Sequence, residues 1–284
     1  MRIPLSSGAQ AAIFVTATVA LTALFQYPLF GAQPLGNRGS MFIFAMMWCP
    51  AVAAIITSLI ARRPMAAIGW RIPRASYLLL GVAIPVTYTA VTYLLSWHYG
   101  AGTFNSQYVF TWNDLAAGWL SGCVFALGEE IGWRGFLTPV LARSASFPKV
   151  AVVVGVIWSV WHFPPIVRGD YGSGEPLPFM LMCFTIMLLG MNIAITWLRL
   201  SSGSIWPAVL MHGTHNVVIQ SVWTPLTTQT ESTARITGEF GAGLAMTALA
   251  TGLVFIVMYW LRNSVGAFTP AGPNPAASQL RPVG

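Results

Sequence analysis

Eight long apolar stretches divide this chain of 284 residues and leave short segments between them. A helix needs about 20 mostly apolar residues to cross the hydrocarbon core of a bilayer. Charged residues make up only 7% of the chain, against about a quarter in ordinary soluble proteins. The sequence therefore predicts an all-α, polytopic membrane protein with about eight transmembrane helices. The predicted spans are residues 9–30, 41–60, 77–97, 115–140, 149–166, 178–198, 204–223 and 241–261.

The basic residues fall mostly on one side of the predicted membrane. Eight spans place the connecting segments alternately on two sides, and one side holds Arg2, Arg62, Arg63, Arg71, Arg74, Arg134, Arg143, Lys149, Arg199, Arg262 and Arg281. The other side holds Arg38, Arg168 and Arg235 with the acidic residues Asp114, Asp170, Glu175, Glu231 and Glu239. Because cytoplasmic loops carry the excess of Lys and Arg, both termini are predicted to be cytoplasmic. The net charge of +7 then reflects topology, and no basic stripe indicates a nucleic-acid partner.

The chain is predicted to be one transmembrane domain, residues 1–268, in the plasma (inner) membrane. Its first apolar stretch is interpreted as an uncleaved helix, because more spans follow and Gly31-Ala32-Gln33 is a poor signal-peptidase site. Residues 269–284 are rich in proline, alanine and glycine, a composition that predicts a disordered cytoplasmic tail. The cysteines Cys49, Cys123 and Cys183 lack metal-type spacing and are interpreted as small buried side chains.

The fourth apolar stretch contains the most unusual residues of the chain, Glu129, Glu130 and Arg134. An ionisable residue within a membrane span is costly and indicates a functional site. Glu130 and Arg134 are four residues apart on one helical face and can form an ion pair, whereas Glu129 points about 100° away. The simplest interpretation makes Glu130 and Arg134 a structural clamp and leaves Glu129 facing a cavity as a general base. The alternative is a buried network of all three that holds helices together.

Two further helices carry polar side chains to the same depth. At about 1.5 Å per residue, Glu129, His162 and His212 all fall within the middle half of a ~30 Å hydrocarbon core. Asn216 lies four residues after His212 and shares its helical face. His215 lies at the edge of that face, where a site group and a helix–helix hydrogen bond are equally compatible with its position.

A carboxylate, two imidazoles and an amide can activate water and stabilise an oxyanion. Imidazole and carboxylate groups are equally suited to Zn²⁺, so the residues alone do not choose between these two chemistries. The His-Glu-x-x-His, Gly-x-Ser-x-Gly and phosphate-loop motifs are absent from the sequence. Polar residues near the bilayer midplane also occur in transporters, although this chain has no inverted repeat.

Three short patterns follow one another along the chain: Glu129-Glu130-x-x-x-Arg134, Trp158-x-x-x-His162 and His212-x-x-x-Asn216. Together they resemble the motifs of the CAAX protease and bacteriocin-processing family of intramembrane proteases, also called CPBP, Abi or type II CAAX prenyl endopeptidases. The resemblance covers about residues 110–225, which it marks as the catalytic core. Trp158 stands where the family usually has Phe.

This resemblance implies an intramembrane endopeptidase with a conical active-site cavity. It assigns water activation to Glu129 with help from His162, and orientation of the water or stabilisation of the oxyanion to His212 and Asn216. Glu130 and Arg134 would maintain the site.

The resemblance leaves the cofactor open, because the family is described both as metalloproteases and as metal-independent glutamate proteases. Either Zn²⁺ is held by Glu129, His162 and His212, or there is no metal. The expected partners are a peptide or protein substrate at the membrane and the lipid bilayer itself. The alternatives are a non-catalytic membrane scaffold or bacteriocin-immunity protein, and a transporter.

Overall fold

The computed structural model describes residues 5–26 and 38–264, which form an almost entirely helical bundle. Its α-helices are α1 Ser7–Gln26, α2 Arg38–Ile60, α3 Ala75–His98, α4 Trp112–Glu130, α5 Thr138–Leu141, α6 Phe147–Arg168, α7 Leu177–Ser202, α8 Trp206–Val217, α9 Glu231–Ile236 and α10 Ala242–Ser264. A 3₁₀ turn spans Met65–Ile68, and π-helical segments span Ile131–Leu137 and Val218–Trp223. The strands β1 Thr103–Phe104 and β2 Thr227–Thr228 pair antiparallel and are the one departure from the all-α prediction in the described residues.

Each of the eight predicted spans coincides with a helical segment. In the described part of the chain, α1, α2, α3, α6, α7 and α10 are long and apolar enough to cross a membrane. The chain is therefore an integral membrane protein with multiple candidate spans. The two remaining segments are α4, which contains Glu129 and Glu130, and α8, which contains His212 and Asn216. The predicted tail, 269–284, lies outside the described residues.

The π-helical segment after α4 begins directly beyond the two glutamates. Ile131 and Thr138, at its two junctions, keep right-handed helical dihedral angles, so α4, the π segment and α5 form one continuous helix. A Cβ atom at Gly132 would lie 2.5 Å from the Cβ of Pro50 in α2. Glycine therefore permits this close approach of the two backbones. Such π insertions in α-helices occur frequently at functional sites.

The two ends of the bundle are built differently. At one end Arg199 donates hydrogen bonds to the backbone carbonyls of Arg134 (2.8 Å) and Ile68 (3.1 Å), and Arg71 donates to that of Ser202. These contacts join α7 to the 3₁₀ turn and to the segment around it. The other end carries the β ladder and α9. The connecting segments are thus sorted to two ends as the alternation of eight spans predicts.

Candidate active site

A cavity of about 1340 Å³ lies within the bundle. Residues of α2, α4, α6, α7 and α8 form its walls, together with the segment that connects α8 to α10. All four residues predicted to be catalytic line it, namely Glu129, His162, His212 and Asn216. Three sequence-distant helices therefore bring their polar side chains to one space, as their common depth predicts.

Glu129 is held by two tryptophan side chains. Its Oε2 atom accepts hydrogen bonds from the indole nitrogens of Trp158 at 2.6 Å and Trp133 at 3.2 Å. The residue is 1% exposed, yet it borders the cavity. Both bonds end on Oε2, and Oε1 accepts no hydrogen bond from the described residues. Glu129 is therefore positioned by neutral donors and has one carboxylate oxygen available.

Glu130 belongs to a separate network behind the cavity wall. Its Oε1 atom accepts a hydrogen bond from Nη1 of Arg134 at 2.8 Å, and both side chains are fully buried. Nη2 of Arg134 donates to the amide oxygen of Asn192, whose nitrogen donates to the carbonyl of Ala151. The predicted ion pair is present. The hydrogen-bond network around this pair extends beyond the motif, because Asn192 in α7 connects Arg134 to the backbone of α6.

Trp158 links the two glutamates. Its indole nitrogen donates to Glu129, while the guanidinium carbon of Arg134 lies 3.9 Å from the centre of its ring. The ring of His212 contacts it edge-on at a centroid distance of 5.1 Å. From the sequence, Trp158 was noted only as standing where the family usually has Phe. The extra nitrogen of tryptophan was the signal that could have identified this donor.

Hydrogen bonding indicates the tautomers of the two cavity histidines. Nδ1 of His162 lies 2.9 Å from the carbonyl oxygen of Trp158, and Nδ1 of His212 lies 2.9 Å from Oε1 of Glu130. Both partners are acceptors, so each Nδ1 atom carries a proton. When such a ring is neutral, its Nε2 has a lone pair that can accept a proton. His212 is thereby also connected to the Glu130 network.

The close packing of α4 against α8 brings His212 to Glu130. A Cβ atom at Gly213 would lie 2.7 Å from Sγ of Cys123 and 2.9 Å from its backbone nitrogen. On α4, a Cβ atom at Gly122 would lie 2.9 Å from a methyl group of Val217. These two glycines allow backbone contact at the position where the site requires it.

Further polar groups line the cavity away from Glu129. Nδ1 of His215 is hydrogen-bonded to the hydroxyl of Tyr88 in α3. This bond between α8 and α3 corresponds to one of the two roles predicted for His215. The residue also borders the cavity. Its Nε2 lies 3.9 Å from Glu239. The Glu239 carboxylate accepts hydrogen bonds from Tyr171 and, at 3.2 Å, from Gln220.

Glu239 was not predicted as a site residue. It lies in a predicted connecting segment, and no motif indicates that this segment folds back over the cavity. Glu239 lies outside the predicted spans, and burial raises the pKa of its carboxyl group. The cavity therefore carries a further buried carboxyl group in addition to that of Glu129.

The donor groups do not match a zinc centre. Among the described residues no three His, Cys, Asp or Glu side chains are grouped so as to hold one metal ion, whereas catalytic zinc usually has three protein ligands. Glu129, His162 and His212 border the same cavity but do not form such a group. The predicted zinc set is thus not assembled in this structure.

The arrangement is suited to acid–base chemistry on water. A buried carboxylate and an imidazole Nε2 can take a proton from water and return it to a leaving amine. The side-chain amide of Asn216, which makes no hydrogen bond to the described residues, can donate to a developing oxyanion.

Comparison with known proteins points to the same part of the chain. Residues 111–218 match the sequence model of a family described as type II CAAX prenyl endopeptidase Rce1-like. A CAAX prenyl protease 2 of Methanococcus maripaludis is 34% identical over 88 residues. This region comprises 30% of the present chain and 32% of that relative, so the chain matches about a third of the relative's length.

Proposed function

We propose, from the match of residues 111–218 to the family model of Rce1-like type II CAAX prenyl endopeptidases, that this protein is an intramembrane endopeptidase. It hydrolyses a peptide bond with a water molecule activated by Glu129. The substrate class is a peptide or protein at the membrane. In this proposal all eight long helical segments cross the plasma membrane, with both termini in the cytoplasm, and the cavity is the active site.

The separation of the two neighbouring glutamates is the observation that supports this proposal most. Glu130 is neutralised by Arg134 within a fully buried network. Glu129 is held only by indole donors and borders a cavity large enough for a peptide segment. A carboxylate positioned in this way can accept a proton without breaking an ion pair.

The proposed reaction uses groups of the chain itself. Oε1 of Glu129 removes a proton from water as the water oxygen attacks the peptide carbonyl carbon, and His162 assists through Nε2. The side-chain amide of Asn216 stabilises the negative charge on the carbonyl oxygen, and Nε2 of His212 orients the water by accepting a hydrogen bond from it. The C–N bond then breaks as the proton is transferred from Glu129 to the leaving nitrogen, and the carboxylate is regenerated.

The test is cleavage of a complex peptide mixture by the purified protein in nanodiscs, read by mass spectrometry. Loss of a general acid–base group lowers rates about 10²- to 10⁴-fold, and we expect losses of this size for Glu129→Gln, His162→Ala and His212→Ala. His98→Ala is the matched control, because His98 is exposed at the end of α3. Wild-type turnover by Glu129→Gln would falsify the mechanism.

A non-catalytic scaffold is the alternative that this experiment excludes or establishes. It predicts no cleavage by the wild-type protein and an unchanged biological effect in the Glu129→Gln variant. In that case the polar residues would serve only to hold helices together, through the buried Glu130–Arg134 network.

Metal dependence is tested separately with chelators. Because the described residues form no three-ligand group, we expect cleavage to persist after dialysis against EDTA or 1,10-phenanthroline. Loss of cleavage that is restored by Zn²⁺, with no effect of Mg²⁺, would instead assign water activation to a metal ion.

A further inference from the structure

A second polar group in the cavity is centred on Glu239. Its Oε2 atom accepts a hydrogen bond from the hydroxyl of Tyr171, and its Oε1 atom accepts one from the side-chain amide of Gln220 at 3.2 Å. The residue is 9% exposed and lines the cavity, as do both donors. These three residues come from separate segments, which follow α9, α6 and α8. The fold thus gathers neutral donors around a carboxyl group that the proposed reaction does not use.

Glu239 differs in its pairing from two other acids at the same end of the bundle. Asp170 pairs with Arg168 at 3.1 Å, and Glu175 pairs with Arg235 at 3.0 Å. In the part of the chain that the structure describes, no Lys or Arg nitrogen lies within 4 Å of the Glu239 carboxylate. A buried charge without a partner is costly. A carboxyl group kept in such a position therefore indicates a function.

His215 places a further polar atom beside this carboxyl group. Its Nε2 atom lies 3.9 Å from Oε1 of Glu239, which exceeds hydrogen-bond distance. The residue is 2% exposed, and this nitrogen has no hydrogen-bond partner among the described residues. When Nδ1 donates to the hydroxyl of Tyr88, Nε2 is an acceptor. Two acceptors at this separation can share one donor nitrogen that lies about 2.9 Å from each.

We infer that Glu239, with Tyr171, Gln220 and His215, forms a cation subsite for a positively charged group of the substrate. That group is a Lys or Arg side chain or an amino terminus. It supplies several N–H donors and the charge that Glu239 lacks. Attraction between the two charges is stronger here than in water, because the cavity wall lowers the effective dielectric constant. The role in substrate choice rests on the proposed endopeptidase function, whereas binding of the cation does not require cleavage.

Aromatic rings connect the cation subsite to the catalytic residues. The ring of Tyr171 contacts that of Phe184 at a centroid distance of 5.7 Å, and Phe184 contacts the ring of His162 at 5.2 Å. Phe240, which follows Glu239, contacts both Tyr171 and Phe184. An extended peptide advances about 3.3–3.6 Å per residue, so the positive charge lies within about four residues of the cleaved bond. The aromatic wall between them suits apolar side chains.

Matched peptides test the cation subsite by cleavage. The set carries Lys, norleucine or Glu at each position within about four residues of the cleaved bond, with a free or an acetylated amino terminus. At one position Lys should raise kcat/KM at least about tenfold over norleucine, mainly through KM, because hydrogen bonds to charged groups are strong. A loss on acetylation, with no effect of Lys, would instead assign the subsite to the amino terminus. No preference for either cation in the wild-type protein would overturn the inference.

Glu239→Gln removes the charge and keeps an oxygen acceptor for the neighbouring donors. We expect this variant to reduce the preference for the cationic peptide to about one, through a change in KM, whereas Glu239→Asp should restore part of the preference. Glu231→Gln is the matched control, because Glu231 is an exposed acid outside the described lining of the cavity. It should keep the wild-type preference. An unchanged preference in Glu239→Gln would refute the subsite and leave the endopeptidase intact.

Binding without cleavage separates the cation subsite from the proposed function. Fluorescence anisotropy compares the Lys and norleucine peptides on the Glu129→Gln protein in nanodiscs, with and without Glu239→Gln. The cationic peptide should bind at least about tenfold more tightly, and only while Glu239 is present. This result together with no cleavage by the wild-type protein would refute the endopeptidase and retain the subsite. Equal binding of the cationic and neutral peptides would refute the subsite, even where cleavage occurs.

Discussion

The cavity around Glu129 and the sealed network around Glu130 are adjacent in sequence and opposite in character. Glu130 is fully buried, ion-paired with Arg134 and bonded to His212. Glu129 is equally buried but borders the cavity and accepts hydrogen bonds from indoles. A charge inside a membrane protein is retained when it is paired or when function requires it. Glu130 illustrates the first case, and the proposed function would make Glu129 an example of the second.

This difference predicts that stability and activity separate between the two residues. Removing one partner of a buried ion pair costs about 3–5 kcal/mol. We therefore expect Glu130→Ala to lower the free energy of unfolding by this amount. Glu129→Gln keeps an oxygen acceptor for the indoles and should cost less than about 1 kcal/mol, as is usual for the loss of a single modest interaction. Unfolding in mixed detergent micelles measures both values.

The double variant Glu130→Leu, Arg134→Leu serves as the control for this comparison. Replacing a whole buried pair with apolar side chains is often nearly neutral, so the double variant should recover much of the stability that Glu130→Ala loses. Equal destabilisation by Glu129→Gln and Glu130→Ala would show that both glutamates belong to one structural network.

The close contact of α4 and α8 connects the two regions, and Gly213→Ala is expected to disturb it. The new methyl group would lie within 3 Å of the backbone and Sγ of Cys123, and overpacking of this kind costs about 1–3 kcal/mol. Because His212 precedes this glycine, cleavage should fall with stability.

Gly118→Ala provides the matched change on α4, since a Cβ atom there meets no atom within 4 Å. It should stabilise the helix slightly. Thermal unfolding of Gly213→Ala and Gly118→Ala compares the stabilities of the two variants. Equal melting temperatures for the two would argue against a tight contact at Gly213.

Trp158 connects the regions at a single nitrogen atom, and Trp158→Phe removes only that donor from Glu129. The ring that contacts Arg134 is largely kept. A hydrogen bond to a charged group contributes about 1.5–3 kcal/mol, and partial loss of this positioning should lower kcat about tenfold or more. Trp161→Phe is the control, because its indole bonds to Thr22 instead. Equal kcat values for the two variants would deny Trp158 this positioning role.

The smallest expected effect concerns the pH dependence of stability that arises from Glu239, which lines the cavity. Burial raises the pKa of this carboxyl group above its ordinary value of 4.5, so the folded state binds its proton more tightly than the unfolded state. The stability that this provides is complete below pH 4.5 and is lost as the pH rises through the higher folded value.

Glu239→Gln should remove this pH dependence, which amounts to at most about 1.4 kcal/mol per pH unit. Unfolding curves between pH 4 and pH 8 compare the variant with the wild-type protein. Parallel curves for the two proteins would show that Glu239 titrates alike in both states.

Several features of this molecule were predictable from local sequence. The eight helical segments follow from the lengths of the apolar stretches, and the Glu130–Arg134 pair follows from helical spacing. The meeting of Glu129, His162 and His212 follows from depth, because a bilayer fixes how far along each helix its middle lies. Their catalytic roles stay predictions.

Other features depend on contacts between distant segments. Neither π segment was predicted. The first of them includes the tight packing of Gly132 against Pro50, and a contact between two helices cannot be inferred from the spacing of residues in one of them. Asn192 carried a weak signal as a polar residue in an apolar span, but its partner Arg134 is 58 residues away. The position of Glu239 over the cavity depends on how a connecting segment folds back.

The sequence by itself determined that the chain is a helical membrane protein with a polar layer, and it predicts that the basic side is cytoplasmic. Hydrophobic length and charge asymmetry act on each segment separately, so they can be read without knowing the packing. Helical spacing favoured Glu130 over Glu129 as the partner of Arg134, but only the tertiary structure decided against a single network of Glu129, Glu130 and Arg134. This outcome depends on the close packing of α4 with α2 and α8, and packing is a property of pairs of segments.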